Sequence, residues 1–385
     1  MEEKKKAPTC YELTLTTNYV ANWTFNDAIR ELIQNGIDQE VLDTSNKFEL
    51  VYNEDEEKLL LISPISKLSI NTLLLGRSSK ADNEDTVGQF GEGYKIASLV
   101  LNREGKTFTI YNNNNNQLWT SRFKNSKKWR DKILAFYVGD NITNESGLVV
   151  EVGNVSMEEY LDIKEVWLNF NGEFERLKNN NLLVETTYGE LILDEDYKGL
   201  TFVNGLSISC GSNFKYGYNF KSKYITLERD RKSCDSWNAE SITSKMMNEA
   251  IISDRIDFEE IETLVGSYSS DVYQSYNFKE GVKDRFIESF DIKNVPKIKD
   301  NIVVPISSEE ERKKVLAYGG EPIFINSRVH DILKDEKDRR IELLSKREFK
   351  DELSLREKFQ RWYDIYSSEL NNEAKEELAE LINKI

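Results

Sequence analysis

Ala28, Ile29, Leu32, Ile33, Ile37 and Val41 recur at helical spacing, so residues 24–42 read as an amphipathic helix whose core face they form. Thr24 stands at its N-cap with Asp27 three positions on, a capping-box-like arrangement. Residues 47–53 and 58–63 alternate or run apolar, which predicts the two strands of a hairpin. The stretch LLLGRSSKADNEDT and a glycine-rich turn lead into a second predicted helix, from about Tyr94 to Asn102. Strands are predicted at 106–112, 117–123, 133–138 and 147–153. This order describes an α+β sandwich, with helices on one face of a mixed sheet.

A second unit is expected from near residue 160, with strands around 182–193, 200–209 and 223–228 and a helical stretch at 239–266. Residues 267–300 carry no clear period. A short strand pair is predicted at 302–305 and 321–325, and the charged segment 328–385 has helical periodicity for two or three helices. The expected domains are therefore 1–160, a second α+β domain at 161–266 and a mostly helical region at 267–385. No internal repeat is present.

Composition narrows the classes. The length, 385 residues, suits two or three domains. No run of apolar residues is long enough to span a bilayer, and the start, MEEKKKAPTCYEL, has no apolar signal core, so no membrane association and a cytoplasmic location are expected. Cys10, Cys210 and Cys234 are far apart and fit neither a metal spacing nor a disulfide framework, which also points to a reducing compartment. With His330 as the sole histidine, a histidine metal site, a serine–histidine triad and a phosphohistidine relay are not expected, and nothing near His330 in sequence supplies a catalytic partner. The net charge of −16 opposes nucleic-acid binding unless a basic patch is segregated. The candidate is Arg122, Lys124, Lys127, Lys128, Arg130 and Lys132, interleaved with Trp119, Phe123 and Trp129; the plain expectation for it is a solvated turn between strands. Residues 112–116 are all Asn, which reads as a mark of an AT-rich coding sequence.

Two segments carry candidate chemistry. Glu31, Asn35 and Asp38 lie at i, i+4 and i+7 on the first helix, in one stripe opposite the apolar face. Two carboxylates and an amide in line can activate water, hold magnesium and accept hydrogen bonds, although a solvated polar face has the same spacing. Gly88-Gln89-Phe90-Gly91-Glu92-Gly93 directly precedes a helix, where glycine permits close backbone approach and free N–H groups attract phosphate; a flexible turn would look alike.

Taken together, IRELIQNGIDQ and GQFGEGYKIASLVL resemble the two best-marked boxes of the GHKL ATPases (gyrase, the large heat-shock chaperone, histidine kinases, MutL) over roughly residues 15–155, with the second box closest to the chaperone and MORC-like branches. The resemblance implies a Bergerat-type sandwich that binds ATP with magnesium. It implies Glu31 as general base, also near the metal, Asn35 as magnesium ligand, and Asp38 supporting the nucleotide. Gly88, Gln89, Phe90, Gly91, Glu92, Gly93, Tyr94 and Lys95 would line it, with Lys80 reaching from the lid. One box departs from the pattern. The Asp-x-Gly-x-Gly that reads adenine is replaced by Ser63-Pro64-Ile65-Ser66-Lys67, with Ser63 at the aspartate's place, which puts base selectivity in question. The segment KSKYITLERDR resembles the transducer turn that sends an arginine to the γ-phosphate, making Arg229 and Arg231 catalytic candidates. The implied activity is slow hydrolysis driving a conformational switch, with the helical region as a candidate homodimer or client surface and phage–host conflict as a setting. The alternatives are a nucleotide-responsive module with little turnover, a GHKL protein kinase and a MutL- or MORC-like DNA-acting ATPase.

Overall fold

The computed structural model describes residues 7–73, 93–141, 143, 145–228, 232–295, 301–346 and 354–384. The chain divides into two units, Met1–Gly211 with Tyr216–Asn238, and Ser212–Lys215 with Ala239–Ile385. Both mix helices and strands, and the fold class is α+β.

In the first unit, helix α1 (Phe25–Leu42) begins where the capping box predicts, with the Thr24 N–H donating to Asp27 Oδ2 at 2.8 Å. It faces a seven-stranded sheet of β1 (Thr9–Thr16), β2 (Glu49–Asn53), β3 (Lys58–Ser63), β4 (Thr107–Asn112), β5 (Gln117–Ser126), β6 (Asp131–Asp140) and β7 (Leu148–Gly153), in the order β1-β6-β5-β4-β7-β3-β2. Each neighbouring pair is antiparallel, so the mixed sheet expected from the element order is replaced by a fully antiparallel one. Alternate residues of the strands, Leu59, Leu61, Phe108, Ile110, Trp119, Phe136 and Val152, share one core with Ile29, Leu32 and Ile33 of α1 and Leu99 and Val100 of α2 (Gly93–Arg103). Val41, placed on the core face by its spacing, is exposed in the last turn of the helix. Trp119, grouped in sequence with the basic run, is fully buried here and belongs to this core.

The asparagine run is structural. Asn112, fully buried, accepts from Leu68 N at 3.1 Å and donates to Leu68 O at 2.8 Å. Asn114 donates to the carbonyls of Ile65 and Ser66, Asn115 donates to Leu68 O, and Asn116 takes a left-handed conformation that closes the turn. From the other side Asn46 donates to Ser66 Oγ at 2.9 Å and accepts from Ile65 N at 3.1 Å. Residues 65–68, a loop in the sequence, are thus held by amides on two sides. Asn112→Ala orphans the Leu68 N–H, leaves the Leu68 carbonyl to Asn115 alone, and lowers the unfolding free energy by about 1–3 kcal/mol in urea titration.

After two short helices, α3 (Met157–Leu161) and α4 (Glu173–Asn179), the same unit carries a second, five-stranded sheet, β11-β10-β12-β9-β8, built from β8 (Leu183–Thr186), β9 (Gly189–Ile192), β10 (Thr201–Val203), β11 (Leu206–Ile208) and β12 (Gly217–Phe220). Two hairpins fall where predicted. The expected strand at 223–228 does not form: Ser222–Tyr224 is a 3-10 turn, and Leu227 makes only an isolated bridge to Cys234. Its place is taken by β12, wholly buried and parallel to β10. Cys210 and Cys234 form a disulfide, with Cα atoms 4.9 Å apart, which overturns the reading that the cysteines are too dispersed to pair and removes the support that reading gave to a reducing compartment.

The second unit contains α5 (Ser236–Ile252), α6 (Phe258–Gly266), α7 (Glu280–Asn294), α8 (Glu309–Ala317), α9 (Ser327–Ile332), α10 (Lys334–Lys346), α11 (Leu355–Tyr366) and α12 (Asn372–Lys384), plus a parallel pair β13 (Val303–Ile306) and β14 (Glu321–Phe324) bridged by α8. The charged segment after 326 thus holds four helices among the described residues, more than the two or three expected, because the Leu333 turn divides α9 from α10. His330 is not isolated: its Nε2 lies 3.0 Å from Glu311, which also pairs with Lys337 at 2.7 Å. Burial opposes ionisation of the Glu311 carboxyl, but the Lys337 ammonium, the Ser307 N–H and His330 outweigh it and hold its pKa down at about 2. No helix among the described residues is long and apolar enough to cross a membrane.

Candidate functional site

The stripe on α1 is not a solvated face. Glu31 is 4% exposed and Asp38 is fully buried, and their neighbours Arg30 and Gln34 are buried in all but a few per cent of their surface. A helix buried on its polar side as well as its apolar side must satisfy its carboxylates there, since an uncompensated buried charge is costly. Gly36 lets the middle of α1 lie against the ring of Phe48, where any Cβ would collide.

The start of α2 meets this stripe. A Cβ added at Gly93 would stand 2.5 Å from Glu31 Oε2 and 3.2 Å from Asn35 Nδ2, so any larger residue there has to displace the ends of these side chains. Asn35 donates its Nδ2 to the Glu31 carbonyl at 2.8 Å, which fixes the amide plane and turns Oδ1 the other way. The two boxes that are far apart in sequence therefore converge through Glu31, Asn35 and Gly93.

Tyr94 and Lys95 follow directly. Lys95 is fully buried and donates from Nζ to the Thr72 carbonyl at 2.8 Å. The Tyr94 hydroxyl lies 3.0 Å from Thr72 Oγ1, its ring meets Phe136 edge-on at 6.1 Å, and burial pushes its phenol above the ordinary range. Both side chains thus anchor the 3-10 turn Ile70–Leu73. Lys80, Gly88, Gln89, Phe90, Gly91 and Glu92 lie outside the described residues, as do Arg229 and Arg231.

Ser63 ends β3 and is buried, at 6% exposure. It pairs in register with Leu148 of β7, which pairs with Asn112 of β4, so the three stand in one row across the sheet. The Ser63 carbonyl accepts from Ser66 N at 3.2 Å and opens the amide-held loop. Among the described residues no group of three or more His, Cys, Asp or Glu side chains gathers to hold a metal. A magnesium ion carried in on phosphates needs few protein ligands, and a single oriented amide oxygen fits that role.

The sequence reading missed how α1 is held from the second sheet. Arg30, next to Glu31, donates from Nε and Nη2 to the Ser207 carbonyl of β11 at 3.4 and 3.3 Å, and from Nη1 to Gln34 Oε1 at 3.4 Å. Lys232 pairs with Asp27 in the first turn and lies 4.5 Å over the Trp23 ring. The strand tips that carry these groups are joined to each other: Ser209 N donates to Lys232 O at 2.7 Å, Cys234 N to Ser209 O at 3.0 Å, and the disulfide closes the pair. The signal available was Lys232 itself, directly after the singled-out ERDR run. Arg30 gave none, because its acceptor is a backbone carbonyl.

Comparison with known proteins gives three likenesses. Residues 165–252 match the family model described as the Mycoplasma pneumoniae MPN635 N-terminal domain. A Mycoplasma pneumoniae protein described only as uncharacterised is 26% identical over 243 residues, covering 60% of this chain and 94% of that protein. Among solved structures, the ATPase and transducer domains of DNA topoisomerase II from Balamuthia mandrillaris align at a TM-score of 0.36 and 9% identity, over 60% of this chain and 83% of that chain.

Proposed function

We propose that this chain binds ATP with magnesium in a GHKL-type, Bergerat-fold pocket formed by α1 and the glycine segment that ends at α2, and hydrolyses it slowly to drive a conformational switch. The observation that carries this reading is the close approach of Gly93 to Glu31 and Asn35. It puts the N–H-rich start of a helix, suited to phosphate, beside a carboxylate that can take a proton from water and an amide that can hold magnesium. In this reading Glu31 is the general base, Asn35 offers Oδ1 to the metal, and Asp38 supports the nucleotide from further along α1. Gly88 to Lys95 line it, and Lys80 reaches it from the lid. Residues 1–160 form the nucleotide domain, and 161–266 form a transducer-like domain from which Arg229 or Arg231 neutralises charge on the γ-phosphate. The tie from Arg30 and Asp27 to Ser207 and Lys232 supports such coupling. Residues 267–385 offer the surface for a second copy or a client, with the cytoplasm of a bacterium, under phage conflict, as the setting. A magnesium-dependent binding panel across ATP, GTP, CTP and their deoxy forms tests the reading; the absence of any magnesium-dependent nucleotide binding sinks it.

The chemistry at Ser63 favours a second reading, a nucleotide-responsive module with little turnover. A serine hydroxyl is neutral and both donates and accepts, whereas the usual aspartate only accepts and carries charge. Hydrogen bonds to charged groups are worth about 1.5–3 kcal/mol and neutral ones about 0.5–1.5, so adenine binding is weaker by about 1 kcal/mol, several-fold in affinity. Competition binding is expected to give ATP and GTP affinities within about tenfold of each other. A hundredfold preference for ATP would show that another residue reads adenine.

A further inference from the structure

The hairpin of β5 and β6 runs past its sheet. β5 pairs with β4 only from Gln117 to Thr120 but with β6 as far as Ser126↔Asp131, and β1 follows β6 no further than Ile133. Residues 124–132 therefore form a two-stranded ribbon beyond the edge of the sheet. Its charge is opposite to that of the chain, six cations with one acid in residues 122–132 of a protein of net charge −16.

The turn is solvated and lies between two strands, as expected, with residues 127–132 all exposed, and rings stand beneath several of its cations. Arg122 lies 4.1 Å over the Tyr137 ring, Lys128 4.7 Å over Trp129, and Lys132 5.5 Å over Phe123. Only Lys124 is neutralised, by Glu12 at 2.9 Å; among the described residues the other five cations form no ion pair with an acid. Trp129, at the turn, is 50% exposed. Cations stand on both faces of the ribbon. That leaves no apolar face to enter a bilayer, whereas a two-stranded ribbon fits a nucleic-acid groove and an exposed ring accepts a base.

We propose that this ribbon is a nucleic-acid contact without sequence preference, in which the five unneutralised cations take phosphates and Trp129 lies against a base or groove edge. The acidity of the rest of the chain confines a polyanion to the ribbon and sets its orientation. The inference does not rest on the nucleotide site.

The test is fluorescence anisotropy of labelled single-stranded and duplex DNA with the full chain and no nucleotide. For about five phosphate contacts, affinity falls about 10²–10³-fold between about 50 and 200 mM salt. Lys127→Glu/Lys128→Glu/Arg130→Glu loses at least about tenfold at low salt and flattens the log–log salt slope by about three. Trp129→Ala weakens single-strand binding roughly fivefold or more with the slope unchanged. If circular dichroism shows the triple variant misfolded, Lys127→Gln decides, with an expected loss of about one in slope. Absence of DNA binding at low salt, or variants that bind like the parent, overturns the proposal. So does a dependence on these residues seen only with phosphatidylserine vesicles.

Discussion

With the proposed nucleotide site, Glu31→Ala is expected to lower the rate of ATP hydrolysis about 10²–10⁴-fold while ATP still binds, the range a positioned general base contributes. Glu31 is suited to this because its carboxylate is held in a nearly water-free place, directly against the backbone of Gly93. Removing it would take away the proposed acceptor for the proton of the attacking water while leaving the glycine backbone itself unsubstituted. Binding therefore falls far less than turnover, and the loss appears in kcat rather than in KM. The measurement is single-turnover hydrolysis alongside calorimetric binding. A variant that hydrolyses ATP at the parent's rate removes Glu31 from the mechanism, and a parent with no turnover at all selects the binding-module reading.

In the proposed site, Gly93→Val is expected to weaken magnesium-dependent nucleotide binding steeply. Its Cβ alone would fall 2.5 Å from Glu31 Oε2, far inside van der Waals contact, and the valine methyls extend further. Either the first turn of α2 withdraws from α1 or Glu31 and Asn35 are displaced, and both open the point where the two segments meet. Overpacking of this kind costs about 1–3 kcal/mol of stability, so a thermal melt must accompany the titration. Gly281→Val is the matched control, since a Cβ there meets nothing within 4 Å. Calorimetry that finds Gly93→Val and Asn35→Ala binding like the parent would place the ligand elsewhere.

What was readable in the sequence was whatever repeats at a short period. Ile29, Ile33 and the cap at Thr24 marked α1 to within a residue, and the Leu59/Leu61 alternation marked β3. The stripe of Glu31, Asn35 and Asp38 was equally visible, but spacing alone cannot tell a solvated face from a buried one; that is decided by what packs above it, here α2. β12 was missed because four residues, all buried, show no alternation. The asparagines at 112–116 looked like composition because their acceptors, the carbonyls of residues 65–68, lie in a loop that no periodicity marks. The Cys210–Cys234 pair and the Arg30–Ser207 bond are products of topology: the first needs residues 209 and 233 to bridge, the second needs β11 brought to α1.

That last bond makes α1 a rod clamped near one end. Its 18 residues span about 27 Å at 1.5 Å per residue. The clamp points, Asp27 and Arg30, lie within about one turn of Glu31, while Asp38 sits two turns further along. A slide of β11 along that bond would bear on the turn of α1 that carries Glu31, the residue next to Arg30. Chemistry that depends on placement within about 0.5 Å is sensitive to such a displacement. In the proposed nucleotide-site reading, the second sheet would bear on Glu31 through the backbone of α1, without any of its own side chains entering the pocket.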